Sequence, residues 1–249
     1  MSEPGGAPAD DDTDGDEATD PTLREQFLEW WRPEDGSPSL ARDLAISVGV
    51  VVLIGAILFA VSGVWPPLVA VESGSMEPNM HRGDLIFLVD EDRFTGDDDV
   101  GGVVPMADAD GHEKFDKPGD VIIFQPNGLE TETPVIHRAH LWVEEGDDWV
   151  EEADPAYLEV DSCEEVPTCP ARHDGFITKG DGNPGYDQAE GGADTDVVKE
   201  DWITGKAMLR IPWLGYIRLT VDGILGVAVG TGTLAAMTGL ALRGRSGPG

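Results

Sequence analysis

A serine hydroxyl attacks a carbonyl only when a base takes its proton, and that base needs a partner to fix its tautomer. Ser75 stands in VESGSMEPNMHRGDLIFL, residues 71–88, flanked by Gly74 and following Ser73. The tight turn exposes backbone N–H groups that could hold an oxyanion. A Gly-Ser turn alone says little, because such turns are common. Five histidines narrow the choice of base: His81 and His112 fall in loops, His173 in an acidic loop, and His137 and His140 in the strand-like run PVIHRAHLWV. Residues three apart on a strand point to opposite faces, so at most one of that pair can serve a given cleft. Asp181 and Asp187 follow, six residues apart in FITKGDGNPGYD. Asp181 reads as a side chain capping its own turn, and composition alone does not single out Asp187. Lys179 is a rival base, which would have to be desolvated and neutral.

The elements that must position these residues read as β. DLIFLVD (84–90), DVIIF (120–124), PVIHRAHLWVEE (134–145), DWVEEA (148–153), FITKGD (176–181) and WITGKAMLRI (202–211) are rich in Val, Ile and aromatics and are bounded by Gly, Pro, Asp and Asn. This pattern predicts a mainly β domain over residues 66–215: an antiparallel, partly closed, barrel-like sheet. Acidic stretches near 92–118 and 144–175 read as solvated insertions.

Two uncharged runs flank that domain. LAISVGVVVLIGAILFAVSGVW, residues 44–65, carries no charge for 22 residues, enough to span the hydrocarbon of a bilayer as a helix. GILGVAVGTGTLAAMTGLAL, residues 223–242, is richer in Gly, and Gly226 and Gly230 have the spacing that lets membrane helices approach closely. A second span over 219–242 is therefore expected. Residues 1–22, acidic and rich in Gly and Pro, read as a disordered tail. Residues 23–43 form a juxtamembrane segment whose Phe27, Leu28, Trp30 and Trp31 could lie on the interface, and 243–249 a second tail. Arg24, Arg32 and Arg42 precede the first run and Arg243 and Arg245 follow the second, which places both ends in the cytoplasm and residues 66–215 outside.

Forty-nine acidic residues against 16 basic ones give a net charge of -33. Such a chain repels nucleic acid. The excess covers the whole soluble part, the surface expected of a protein from an extreme halophile, where molar salt shortens the screening length to about 3 Å. Cys163 and Cys169 lie in an acidic loop, where one local disulfide and two free thiols are equally open readings. No metal or cofactor is implied by these spacings.

The segment SGSMEPNMHRGDLIFL resembles the nucleophile box of type I signal peptidases, and KPGDVIIF, VIHRAH, ITKGDGNPGYD and WITGKAMLRIPWLGY follow in that family's order. The match runs from Val64 to Tyr216. The histidine in VIHRAH resembles the archaeal and endoplasmic-reticulum branch, where bacterial enzymes carry a lysine base. The resemblance implies a fold shared with self-cleaving repressors, with Ser75 as nucleophile and His137 as general base. Its aspartate pair maps onto Asp181 and Asp187, with Asp187 the better candidate for orienting the histidine and Asp181 supporting the site. GDGNPGYD departs from the family's usual GDNN run, which bears on that assignment. The Ser75 N–H and the Ser73 hydroxyl would hold the oxyanion, while Met76 and the strand Leu85–Leu88 would help form a groove near the membrane. The implied reaction is removal of signal peptides from secretory preproteins on the outer face of the cell membrane, against lipid and near a translocon. Lys179 stands where the family has a lysine that it does not use as a base. Two alternatives are a repressor-like self-cleaving protease, which would need a DNA-binding domain and a lysine base, and a non-catalytic membrane-anchored β-domain for surface binding or assembly.

Overall fold

The structure, a computed structural model, describes residues 22, 40–189 and 194–220. The expected tail over 1–22 (save Thr22), most of the juxtamembrane segment, and nearly all of the C-terminal run and second tail lie outside the described residues. The chain forms two compact units, residues 1–52 and 53–249. Helix α1, Leu40–Ser62, supplies the described part of the first apart from Thr22, and its final turns begin the second.

Helix α1 is 23 residues long with a mean hydropathy of 2.9, long and apolar enough to cross a membrane by length and composition. Its apolar side chains are exposed, among them Leu44, Val51 and Leu53. It starts earlier and stops earlier than the expected 44–65. Gly63 ends it: at φ 83° the backbone takes the left-handed conformation of a helix C-terminus, and Gly63 N–H donates to Phe59 O at 2.8 Å. Arg93 then donates from Nη1 to the carbonyls of Ala60 and Val61 at 2.7 and 2.6 Å, satisfying oxygens that a helix end leaves without partners. Trp65 lies beyond the helix.

The second unit is mainly antiparallel β. Among the described residues it has eight strands: β1 Leu68–Ala70, β2 Leu85–Val89, β3 Glu113–Lys114, β4 Lys117–Pro118, β5 Val121–Phe124, β6 Val135–Val143, β7 Gly175–Lys179 and β8 Ile203–Ile211. Six form one sheet in the order β1-β2-β8-β5-β6-β7, and β3 pairs with β4 as a hairpin. The sheet does not close into a barrel: β1 and β7 are its two edges and do not pair. The five pairings within it are all antiparallel. β8, the last of these strands in sequence, sits between β2 and β5, so the sheet centre exists only once distant segments have met.

The central strand β5 is apolar on both faces because both are covered, and all four of its residues are buried. The edge strand β7 is buried along all five residues too, Thr178 and Lys179 included. One core cluster gathers Val71, Met76, Met80 and Ile86 under the turn that carries Ser75. A second gathers Ile122, Phe124, Ala139 and Phe176 in mid-sheet.

Two expectations change here. Residues 148–153 are not a strand: Trp149–Glu152 form a short helix, α2, whose first turn is capped by the Asp148 side chain accepting from Glu151 N–H. The two acidic stretches are not merely solvated either. Within 92–118, Val103 and Val104 are buried, and Val104 N–H donates to the buried Asp120 at 3.0 Å. Within 144–175, Trp149, Val150, Val166 and Ala171 form a third core with Ile177 and Tyr186. Many of their acidic residues are exposed, among them Asp97, Asp98, Glu151 and Glu152, while a sparse set of apolar residues packs inward.

Candidate active site

Ser75 lies in the loop between β1 and β2, a series of tight turns in which Glu77 N–H donates to Gly74 O at 3.0 Å and Met80 N–H to Met76 O at 2.9 Å. Met76, expected at the groove, is fully buried in the core instead and anchors this loop from below. The Ser75 carbonyl accepts from Gly182 N–H at 2.8 Å, which fastens the serine turn to the turn after β7. Gly180 is needed where these turns meet. A Cβ there would lie 2.6 Å from Ser75 O and 2.8 Å from His137 Nε2.

His137 stands on β6, opposite Ile122 of β5, and is buried. Its Nδ1 meets Asp187 Oδ2 at 2.5 Å. An ionised carboxylate only accepts, so Nδ1 carries the proton and Nε2 is left as the acceptor, beside Gly180 and the Ser75 carbonyl. Asp187 is held under the histidine by β7: its N–H donates to Thr178 O at 2.9 Å, and Thr178 Oγ1 donates to Oδ2 at 2.8 Å.

Asp181 has a different partner. Arg138, next to His137 on β6 and therefore on the other face, grips it with Nε and Nη2 at 2.9 and 2.8 Å. Arg138 Nη1 also donates to the carbonyls of Lys114 and Gly119 at 3.0 and 2.8 Å, which ties the β3–β4 hairpin to the site. Lys179 points away from the serine. Its Nζ donates to Gly180 O at 3.0 Å and lies 4.3 Å from the Tyr157 ring centroid. Burial, and then the nearby charge of Lys117, lower its pKa, but it does not line the cleft.

A cleft of about 750 Å³ joins the pieces. Ser73, Ser75, His137 and Asn183 line it together with apolar residues including Val69, Leu88 and Ile136. Ser73 Oγ and Ser75 Oγ are 3.1 Å apart, within hydrogen-bonding distance. Of the expected groove strand, Leu88 reaches the cleft while Ile86 is buried in the core.

The remaining histidines go elsewhere. His112 Nε2 pairs with Asp120 at 2.8 Å, and His173 packs edge-on against Trp202. His81 borders a separate pocket with Glu77 and Arg210. His140 sits at a register shift in β6, edge-on to Tyr157 and Tyr186 at centroid distances of 5.8 and 5.3 Å. Cys163 and Cys169 form a disulfide, which decides between the two readings left open above and leaves neither sulfur free as a thiolate.

Sequence reasoning missed Arg138 and Thr178. A readable signal existed for the first, since an arginine inside an apolar strand demands a buried carboxylate. Thr178 had none, because threonine is ordinary in strands.

A hydroxyl, an imidazole and a buried carboxylate acting on one cleft are the parts needed for acyl transfer through a serine. No family model matches the chain. It is similar to the signal peptidase complex catalytic subunit SEC11C of Homo sapiens, with 24% identity over 180 residues covering 72% of this chain and 70% of that one. It is also similar to the SEC11 catalytic subunit of Schizophyllum commune, at 27% over 172 residues covering 65% and 71%. For the SEC11 of Colletotrichum graminicola the figures are 24% over 173 residues, 66% and 74%. This distant homology to signal peptidase catalytic subunits supports a peptidase of the archaeal and endoplasmic-reticulum branch.

Proposed function

We propose that the protein is a membrane-anchored serine endopeptidase that removes N-terminal signal peptides from secretory preproteins. The observation that carries this reading is the 2.5 Å contact of His137 Nδ1 with Asp187, in a cleft that His137 shares with Ser75. The homology to signal peptidase catalytic subunits supports the same substrate class.

In this mechanism Ser75 Oγ attacks the scissile carbonyl while His137 Nε2 takes its proton. The tetrahedral oxyanion is held by the Ser75 N–H and the Ser73 hydroxyl, each donor contributing about 3 kcal/mol. His137 then protonates the leaving amine, and the acyl-enzyme is hydrolysed by water activated through the same imidazole. Asp187 holds the tautomer and stabilises the imidazolium. Asp181 supports the site through Arg138. The apolar cleft wall suits the small, uncharged residues that precede signal-peptide cleavage sites.

The anchoring reading extends this. Helix α1 and the segment over 219–242, which holds the uncharged run 223–242, act as two spans with cytoplasmic ends, so the catalytic domain over 66–215 faces the outside of the cell membrane. Ser75, ten residues beyond Trp65, is then close to the lipid and to the site where preproteins emerge from a translocon. The net charge of -33 supports an extreme halophile as the source.

The test is cleavage of a membrane-presented preprotein by the full chain in high salt. Ser75→Ala is expected to lower the rate by about 10⁶-fold with unchanged thermal unfolding. Full activity in that variant refutes the mechanism. His137→Lys is expected to be equally inactive, because the surrounding contacts orient an imidazole.

A further inference from the structure

Beneath the His137–Asp187 pair lies a second layer of hydrogen bonds that the mechanism above does not use. We propose that Thr178 and Gln188 are positioning residues that hold the Asp187 carboxylate as the acceptor for His137, an inference that rests on the serine-peptidase reading of this site.

Asp187 Oδ2 accepts from His137 Nδ1 at 2.5 Å and from Thr178 Oγ1 at 2.8 Å. A threonine hydroxyl has one proton and can also accept, so its direction must be set by another group. Gln188 sets it. Its Oε1 accepts from Thr178 N–H at 2.8 Å, which fixes which end of the amide is oxygen. Nε2 then faces Thr178 Oγ1 at 3.2 Å and the carbonyl of Asp196 at 3.3 Å, and donates to both. The Thr178 oxygen thus receives a proton from Gln188 and delivers its own to Asp187. Two donors on one carboxylate oxygen fix the plane of the group, and the second arrives from the strand that also accepts the Asp187 N–H.

Burial makes the arrangement matter. Thr178, Asp187 and Gln188 are 0%, 1% and 3% exposed, so water does not replace a lost partner. A carboxylate turned out of plane would leave the imidazole free to rotate or change tautomer, a fault felt when His137 takes the Ser75 proton. No proton is transferred through the layer; it sets direction only.

Preprotein cleavage by the full-length chain, with kcat and KM measured separately, tests this. Thr178→Val keeps the shape and removes the hydroxyl: kcat is expected to fall about tenfold with KM within about twofold. Thr178→Ser restores the donor and should restore most of kcat. Gln188→Glu keeps the acceptor for Thr178 N–H, but once ionised it cannot donate and draws the Thr178 proton away from Asp187. Its added buried charge favours the imidazolium, so the acid limb of the kcat/KM profile should move to higher pH. Unchanged kcat in Thr178→Val, beside an inactive Ser75→Ala, overturns the positioning role and leaves the mechanism standing. Activity in Ser75→Ala overturns the mechanism itself. Equal losses in Thr178→Val and Thr178→Ser assign the residue to packing and also overturn the proposal. If Thr178→Val fails to melt cooperatively, the Gln188→Glu profile decides, and an unshifted acid limb overturns it.

Discussion

Asp181 and Asp187 leave the same turn six residues apart, yet each meets a different cationic or imidazole partner across β6. Arg138 is fully buried, so deleting the carboxylate of Asp181 strands a guanidinium in a dry site. Asp181→Ala is therefore expected to lower the unfolding free energy by about 3 kcal/mol in a denaturant titration. Asp187→Ala should instead lower kcat by about 10³- to 10⁴-fold, because the histidine loses its tautomer and its counter-charge. A large stability loss confined to Asp187→Ala would reverse these roles. His140, on the opposite face of β6 from His137, is pushed down to about 4, first by burial and then by the charges of Lys179, Arg138 and Lys117, with Asp181 opposing. Above its ordinary value of 6.5 neither folded nor unfolded chain protonates it. As pH falls from 6.5 toward 4 the unfolded chain takes the proton and the folded chain refuses it, so about 3 kcal/mol of stability is lost. His140→Phe keeps the edge-on ring packing and is expected to flatten the stability profile over that window.

At the scale of elements, β6 divides the labour by alternation. His137 faces Asp187 and the cleft, while the next residue, Arg138, fastens the β3–β4 hairpin and Asp181 behind it. The segment over 144–175 serves the same strands from the far edge: its core includes Tyr186, the neighbour of Asp187, and Ile177 of β7. The Cys163–Cys169 disulfide closes a short loop in that segment, with Cys169 Sγ 3.5 Å from the helix-capping Asp148. Cross-linking so short a loop restricts the unfolded chain by about 2 kcal/mol. Replacing both cysteines by serine, or reducing the native protein, should lower the unfolding free energy by that amount. Identical melting of the oxidised and reduced chains would show the bond to be energetically idle.

At the scale of the whole molecule, a net charge of -33 on 249 residues repels itself in dilute buffer. Raising KCl from about 0.1 M to above 1 M cuts the screening length from about 10 Å to about 3 Å, so the thermal midpoint of the β-rich unit should rise steadily with salt. A midpoint that falls, or does not move, would remove electrostatic repulsion as the limit on stability. The sequence by itself determined what is local or compositional. It showed a charge-free run long enough to cross a bilayer as a helix, β-rich segments between two apolar runs, and the order of boxes that marked Ser75, His137 and an aspartate pair. Those features depend on spacing within one segment, which a chain displays before it folds. Only the tertiary structure decided that Asp187 meets His137 while Asp181 meets Arg138, that Met76 is core, and that Lys179 turns away from the cleft. It also decided that the sheet stays open and that the acidic insertions carry cores of their own. Each of these depends on the register of β6 against β7 and on which distant segments share a face, and pairings between strands leave no mark on either strand alone.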